Sequence, residues 1–286
     1  MGTCQIKFQE LKDALIICHS REKFDSMKKN PDSLLKTIVI ESKLLSPEKD
    51  PEFKHIQTFF ELHRNKIHNE VAHYYQKIIS NNEKEISEVS FKCHPLRTKQ
   101  TKYLSLLLPY CLHIAHLNLW NVELGNNGTR YVTKVLHNVP SLIELSLEEN
   151  NIDEEGIEYL AKGLDTLKAL KVISISRNKI GLKGALGLAS AFGSLRKLES
   201  VYLDSTEMTS YQLQIITQGL LCLIDLKKLG LSFNLIDNSG VTVLRKLFDN
   251  LKALFEANLI GNDISEIEIE PLLQDYIHIN ISVWSR

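Results

Sequence analysis

The chain of 286 residues carries 34 basic and 35 acidic side chains, a formal net charge of −1. It lacks the Lys/Arg excess of a nucleic-acid-binding surface. Its apolar runs are too short to span a bilayer, and its N-terminus lacks the pattern of a cleaved signal peptide. Five cysteines, odd in number and without Cys-x-x-Cys spacing, are typical of reduced thiols. We therefore expect a cytoplasmic protein, monomeric when free, with neither a nucleic-acid partner nor a membrane span.

Residues 1–85 predict a small helical domain. Apolar residues at helical spacing around Leu11 indicate one helix, and those around Leu34 indicate a second. A polar, proline-punctuated break follows at 46–52. The apolar residues from Phe53 to Ile78 then recur in steps of three, four and seven, which fits one long helix. We expect this region also to cover the open end of the segment that follows it.

From residue 86 onward one apolar pattern repeats. The segment Leu142-x-x-Leu145-x-Leu147-x-x-Asn150 has counterparts that begin at residues 86, 114, 170, 198, 226 and 254, so every interval is 28. A sustained period of this length indicates a solenoid. Within each copy the last two apolar residues are two apart, so both point to one side of a short strand. The sequence predicts seven repeats over 86–286, with parallel strands stacked in register.

Two further positions of the repeat support this interpretation. The Asn after each strand can pair buried backbone groups of its own repeat and of the adjacent one; these residues are Asn150, Asn178, Asn234 and Asn262, whereas Thr206, Val122 and His94 interrupt the series. Favoured helix N-caps follow three residues later: Gly125, Asp153, Gly181, Thr209, Asp237 and Ser265. Because helices need about 10 Å of lateral room and strands about 4.8 Å, the helices form the longer, outer arc of a horseshoe.

This pattern closely resembles the ribonuclease-inhibitor-like class of leucine-rich repeats, over roughly two-thirds of the chain. The resemblance implies an α/β solenoid with a parallel sheet inside and helices outside. Members often alternate Cys with Asn at the turn position, and this chain has no Cys there. The resemblance also implies binding of a protein through the concave face, and no cofactor.

The C-terminal end departs from the repeat. The acidic, proline-containing run at 265–271 replaces a helix in our interpretation, and Tyr276, Ile279 and Ile281 predict a final, shortened cap strand 22 residues after Leu254. The acidic segment at 266–270 and the Lys/Asn/Ile-rich composition resemble effectors that intracellular bacteria translocate by type IV secretion. That resemblance implies action in a host cytosol, reached without a cleaved signal peptide.

The residues offer little support for catalysis or for a metal site. His68 and His73 are five apart rather than four, so they diverge by about 140° around a helix and do not form a zinc motif. Cys93 and His94 are neighbours in sequence, whereas a nucleophile and its base must converge in space. The chain also has no glycine-rich phosphate loop. We expect a protein that is not an enzyme and holds no metal.

Function is instead expected on the inner sheet face, where the strand residues outside the apolar motif project. Three aromatics lie at positions that the fold does not need to bury, and aromatics are favoured anchors of protein interfaces. The run from Glu144 to Glu158 holds seven acids and no base, which suits a basic patch on a partner. The candidate contact residues are His116, Trp120, Glu144, Glu148, Glu149, Arg177, Tyr202, Asp204, Lys228 and Phe233.

Three classes of function stay open at this point. The first is a protein-binding module, in its sharper form an inhibitor that occludes the active site of a partner enzyme. The second is a regulator of a signalling protein, either a GTPase activator, for which Arg177 is the single rim arginine, or an immune-type sensor. The third is an enzyme housed in residues 1–85, where no site is evident.

Overall fold

A computed structural model describes residues 51–80 and 86–283. The helices expected around Leu11 and Leu34 lie outside the described residues, as do the predicted domain boundary at residue 85 and the last three residues. The division into residues 1–85 and 86–286 therefore stays a prediction.

The helix expected from Phe53 to Ile78 is two helices, so the prediction of one long helix was wrong. Helix α1 spans Pro51–Leu62 and α2 spans Asn69–Ile79, with a 3-10 turn at Arg64–Lys66 between them. The seven-residue apolar step that the sequence suggested as two helical turns runs across this break.

Two side chains stabilise the break: that of His68, and that of Gln100 in the first repeat. Ile67 is extended, and the Nδ1 of His68 accepts a hydrogen bond from the Glu70 amide at 3.3 Å, which caps α2. Gln100 spans the turn, because its Oε1 accepts from the His68 amide and its Nε2 donates to the Lys66 carbonyl, both at 2.8 Å. No apolar periodicity could reveal this cap.

The predicted parallel sheet is present. Its strands β1 to β8 span Glu88–Ser90, His116–Asn118, Glu144–Ser146, Val172–Ser174, Ser200–Tyr202, Lys228–Gly230, Glu256–Asn258 and Asn280–Ser282. Each strand pairs in parallel with the next along the chain. Leu117 pairs with Leu145 and Leu145 with Ile173, so the register repeats the 28-residue period of the sequence.

One helix separates each pair of consecutive strands. These helices, α3 to α9, span Arg97–Leu107, Gly125–Val135, Glu154–Leu164, Gly181–Phe192, Ser210–Leu220, Gly240–Asn250 and Glu266–Asp275. The core lies between the sheet and the helices, and the central strand residue of each of the seven repeats is buried in it: Val89, Leu117, Leu145, Ile173, Val201, Leu229 and Ala257. The fold is an α/β leucine-rich-repeat solenoid, with the sheet on the inner side.

The Asn ladder forms as the sequence predicts. The Nδ2 of Asn178 donates to the carbonyls of Leu147 and Ile175, both at 2.9 Å, and its Oδ1 accepts from the amides of Asn150 and Ile152, both at 3.1 Å. The same exchange recurs at Asn150, Asn234 and Asn262. Each amide thus joins two repeats at a buried position.

Some of the predicted N-cap residues cap their helices and others do not. Asp153 accepts from the Glu155 amide, and Thr209 forms a reciprocal capping box with Gln212, as expected. Gly125 and Gly181 are instead the first helical residues, with φ of +56° and +59°.

The other two predicted caps also differ from a simple N-cap. Ser265 is the N-cap residue of α9, as predicted, but its side chain forms no capping hydrogen bond. The prediction at Asp237 was wrong, because α8 begins two residues later, after Ser239. The Asp237 carboxylate instead accepts from Ser239 and from the preceding repeat's Ser210.

The C-terminal end corrects the sequence analysis. The run at 265–271 does not replace a helix but forms most of α9, with Pro271 inside it and with Ile269 and Leu272 buried on one face. The alternation of acid and apolar residues before Pro271 concealed that face. The final strand is β8, in which Ile281 pairs with Ala257, so the last step is 24 residues and the predicted strand register was two residues off.

Helices α1 and α2 pack on the first repeat. The ring of Phe53 lies 4.7 Å from that of Tyr110, and the ring of Tyr74 lies 5.4 Å from that of Phe91. The Tyr74 hydroxyl also accepts from the Ser90 amide at 3.0 Å, at the end of β1. The described part of the N-terminal region therefore covers apolar residues of the first repeat.

Candidate protein-binding face

A turn of left-handed backbone forms one rim of the inner face. In every repeat the residue that follows the inner strand positions has φ between 51° and 73°: Cys93, Asn121, Glu149, Arg177, Ser205, Phe233 and Gly261. The amides of the first six donate to the next repeat, as Arg177 does to the Asp204 carbonyl at 2.8 Å. Non-glycine residues rarely adopt this conformation. The apolar repeat does not reveal this turn, and at these seven positions the glycine at 261 is the only hint in the sequence.

A hollow of about 260 Å³ opens on the inner face between β2 and β5. The charged, aromatic and hydroxyl side chains around it include Lys92, Trp120, Glu144, Glu148, Ser174 and Tyr202. The structure thus brings four of the candidate contact residues, Trp120, Glu144, Glu148 and Tyr202, to one place. We call this space the inner hollow.

Trp120 is partly buried and held in position. Its Nε1 donates to the Glu149 carboxylate at 3.3 Å, and its amide donates to the Asn118 side chain at 3.1 Å. The Lys92 ammonium lies 4.5 Å from the centre of its ring, which is the geometry of a cation–π contact. The indole is therefore fixed in position beside the hollow, and its ring face attracts positive charge.

The acids around the inner hollow differ in how they are paired. Glu144 lies 3.1 Å from the Nδ1 of His116, beside a second hollow of about 270 Å³ that Glu88 also lines. The Glu149 carboxylate accepts the hydrogen bond from Trp120, and its Oε2 lies 3.8 Å from the Nη1 of Arg177. The Arg177 side chain is 65% exposed. Within residues 51–80 and 86–283, neither an ion pair nor a side-chain hydrogen bond engages the Glu148 carboxylate.

Asp204 has a different role from these acids. Its Oδ1 accepts from the amide and the hydroxyl of Ser232 at 2.7 and 2.6 Å, and its Oδ2 lies 3.3 Å from the Ser176 hydroxyl. The carboxylate therefore joins three neighbouring repeats. A partner that approached it would have to compete with bonds that the fold already makes.

The remaining candidates lie further along the solenoid. Lys228 forms an ion pair with Glu256 at 2.8 Å, and the hydrogen bond and charge of that carboxylate raise the pKa of the lysine. Phe233 is 52% exposed and packs over Gly261, where an added Cβ would come within 2.6 Å of the ring. The Phe233 ring thus occupies space that is open only because the next repeat has a glycine at position 261.

The described residues contain no cluster of His, Cys, Asp and Glu that could hold a metal ion. Burial raises the pKa of the Cys111 thiol to about 12, which leaves it protonated and unreactive. Cys93 is exposed and Cys222 partly exposed, so of the three described thiols only Cys111 is buried. In the same stretch of chain, no helix has the length and apolar character needed to cross a membrane.

A family model described as leucine-rich repeat matches residues 140–161 and 167–189. The chain carries leucine-rich repeats. These two segments are the strands β3 and β4 with the helices that follow them, and they include the side chains at the centre of the inner hollow. None of the curated proteins matches this sequence.

Two solved structures are similar to the chain at low identity. The C-terminal domain of tropomodulin from Caenorhabditis elegans is 14% identical, with 54% of this chain and 92% of that chain covered and a TM-score of 0.46. Internalin C2 from Listeria monocytogenes is 17% identical, with coverages of 71% and 83% and a TM-score of 0.47.

Proposed function

We propose that this protein binds a protein partner through its inner face, with the inner hollow at the centre of the interface. Leucine-rich repeats generally mediate protein–protein interaction. The observation that carries the proposal is the convergence of Trp120, Tyr202 and the unpaired Glu148 carboxylate on one concave site.

The scaffold favours tight binding because little has to be ordered when a partner arrives. The Asn ladder and the rim hydrogen bonds hold each strand to its neighbours. Trp120 and Tyr202 are three strands apart, which is about 15 Å at the spacing of a parallel sheet. That distance fits within the centre of one interface of standard size, and a pre-ordered surface loses little conformational entropy on binding.

In its sharper form, the proposal is that the solenoid inhibits an enzyme. A concave arc that surrounds a globular domain can cover the active-site cleft of that domain. The acids Glu144, Glu148 and Glu149 suit a partner with a basic rim around its cleft.

The alternative is a regulator of a signalling protein, with a GTPase activator favoured by one observation. Arg177 lies on the left-handed rim, largely exposed and only loosely held by Glu149 at 3.8 Å. An arginine supplied in trans stabilises the transition state of GTP hydrolysis in known activators. Loss of partner GTPase stimulation in Arg177→Ala, with binding intact, would favour this alternative.

The proposals on cellular context rest on sequence features alone. We propose that the free chain is a monomer, and that it acts in a cytosol, including that of a host cell if it is a translocated effector. Sedimentation velocity of the free chain tests the first proposal, and a translocation reporter fused to the chain tests the second.

The test of the proposed function uses the full chain as an affinity bait. Proteins captured by wild type are compared with those captured by Trp120→Ala and by the helix-side control Lys168→Ala, and each captured enzyme is assayed with and without the bait. We expect a partner that wild type and Lys168→Ala retain and Trp120→Ala loses, with its activity reduced in the complex. A partner retained equally by Trp120→Ala would place the interface elsewhere.

A further inference from the structure

We infer that the inner hollow is a subsite for an arginine side chain of the partner. The inference rests on the proposed function, because it names the chemical group that the inner face recognises. It is carried by a buried hydroxyl without a partner, by the charge and aromatic character around that hydroxyl, and by the size of the hollow.

The first observation is Ser174, the last residue of β4. Its side chain is only 4% exposed and lines the inner hollow, yet its Oγ has no hydrogen-bond partner within the described residues. Buried hydroxyls in folded proteins are nearly always hydrogen-bonded. A group that enters the hollow and donates to this oxygen would supply the missing bond.

The second observation is the chemistry around Ser174. Glu144 and Glu148 offer carboxylate oxygens that only accept hydrogen bonds, and Trp120 and Tyr202 offer aromatic rings. Lys92 already places its ammonium 4.5 Å from the Trp120 ring, so the ring binds a cation in the free protein. A guanidinium has five donors and no acceptor, stacks on aromatic rings and pairs with carboxylates, so it complements the two carboxylates and can take the place of the Lys92 ammonium on the Trp120 ring.

The third observation is the volume of the hollow and the sign of the charge around it. Pockets for small-molecule ligands usually enclose roughly 300–1,000 Å³, and the inner hollow encloses about 260 Å³. A space of this size is large enough for one long side chain. The two carboxylates of Glu144 and Glu148 outnumber the Lys92 ammonium in the hollow, which disfavours a phosphate or a carboxylate as the occupant.

A model peptide tests the subsite without knowledge of the partner. The probe is the tripeptide acetyl-Gly-Arg-Gly-amide, and the matched control replaces arginine with citrulline, which is neutral and almost the same shape. Binding to the full chain is followed by the indole NH resonance of Trp120 in a ¹H–¹⁵N spectrum. The chain has two tryptophans, so Trp120→Phe assigns the signal. We expect the arginine peptide to bind at least about tenfold more tightly than the citrulline peptide, in line with a charge-assisted pair.

Two variants and one control locate the peptide. Glu148→Gln removes the unpaired charge, and Ser174→Ala removes the unpartnered hydroxyl, so neither breaks a bond that the described chain makes. We expect Glu148→Gln to lose most of the preference for arginine over citrulline, and Ser174→Ala to weaken arginine binding about threefold or more. Glu256→Gln, at an ion pair outside the hollow, should bind like wild type.

The failure of the subsite can be told apart from the failure of the proposed function. Equal shifts with the arginine and citrulline peptides, or an arginine preference that Glu148→Gln retains, would overturn the subsite. If Trp120→Ala still abolishes capture of a partner in that case, the inner face remains the binding face. If Trp120→Ala captures the partner normally, the proposed function itself fails.

Discussion

The two halves of the inner face use similar residues in different ways. Around β5 to β7, polar side chains are engaged within the solenoid, as Asp204 is with Ser232 and Lys228 is with Glu256. Around β2 to β4, Glu148 is unpaired and Ser174 lacks a hydrogen bond within the described residues, and both line the inner hollow. Asp204 is therefore a structural group on this face, whereas Glu148 is available to a partner.

The ends of the solenoid differ as well, and the largest expected effect comes from removing one of them. A chain shortened to residues 85–286 would expose Phe91, Tyr103 and Tyr110, which are buried with α1 and α2 in place. Terminal repeats without a cap are poorly soluble. We expect this shortened chain to aggregate or to lose cooperative unfolding, measured by light scattering and urea denaturation. A soluble, cooperative and equally stable product would show that the helices are an independent module.

Asn178→Ala tests the ladder that both halves share. The change removes an amide that joins two repeats, and it leaves buried backbone groups of Leu147, Ile175, Asn150 and Ile152 with fewer partners. We expect the free energy of unfolding to fall by about 1–3 kcal/mol, measured by urea denaturation.

Two further variants bracket this effect. Asn127→Ala, on an exposed position of α4, should change stability by less than about 0.5 kcal/mol. Thr206→Asn should be neutral or mildly stabilising, because the threonine has no side-chain amide with which to pair groups of the preceding repeat. An unchanged midpoint in Asn178→Ala would contradict the role assigned to the ladder.

Asp204→Ala and Glu148→Ala separate the two halves directly. Asp204 accepts two hydrogen bonds from Ser232 and bridges to Ser176, so its loss should lower the free energy of unfolding by about 1–3 kcal/mol. Glu148→Ala breaks no such bond and should stay within about 0.5 kcal/mol of wild type. Thermal and urea unfolding of both variants measure the difference, and equal losses would show that the distinction does not hold.

The smallest expected effect concerns Glu199, which lies between two lysines one repeat away on either side. Hydrogen bonds from Lys171 and Lys227 lower the pKa of this carboxyl from its ordinary 4.5 to about 2. A carboxyl whose pKa is lowered on folding stabilises the fold at pH values above its ordinary pKa. This stabilisation falls as the pH drops below 4.5 and is lost as the pH passes through about 2.

Glu199→Gln should therefore be less stable than wild type above pH 4.5, with a difference that vanishes as the pH falls toward 2. The measurement is urea denaturation across this range, at low salt because the site is exposed. Glu207→Gln, which loses a pair with one lysine, is the matched control. A difference that does not depend on pH would contradict the effect.

The sequence predicted the features that a fixed period imposes. The 28-residue step gave the strand register, the buried residues and the Asn ladder, because each of these depends on residue type at one recurring position. Trp120, Glu148 and Tyr202 were predicted to share a face for the same reason, and the structure places them around one hollow.

Features set by single contacts could not be predicted. The break before α2 depends on His68 and on Gln100 from the next repeat, and the helix around Pro271 depends on a buried face that alternating acids concealed. The engagement of Asp204 depends on serines 28 residues away on either side. A pattern gives the direction of a side chain, but its partners depend on the neighbours that the fold supplies.

The most direct test of the inner hollow as the binding centre compares an aromatic in each half. Once a partner is captured, its Kd is measured by titration calorimetry for wild type, Trp120→Ala and Phe233→Ala. Truncation of a central anchor typically costs about 2 kcal/mol, or roughly thirtyfold in affinity. We expect that loss for Trp120→Ala and less than about a threefold change for Phe233→Ala, which lies on the rim beyond the hollow. A Trp120→Ala variant that binds as tightly as wild type, while Phe233→Ala does not, would contradict the assignment of the binding centre.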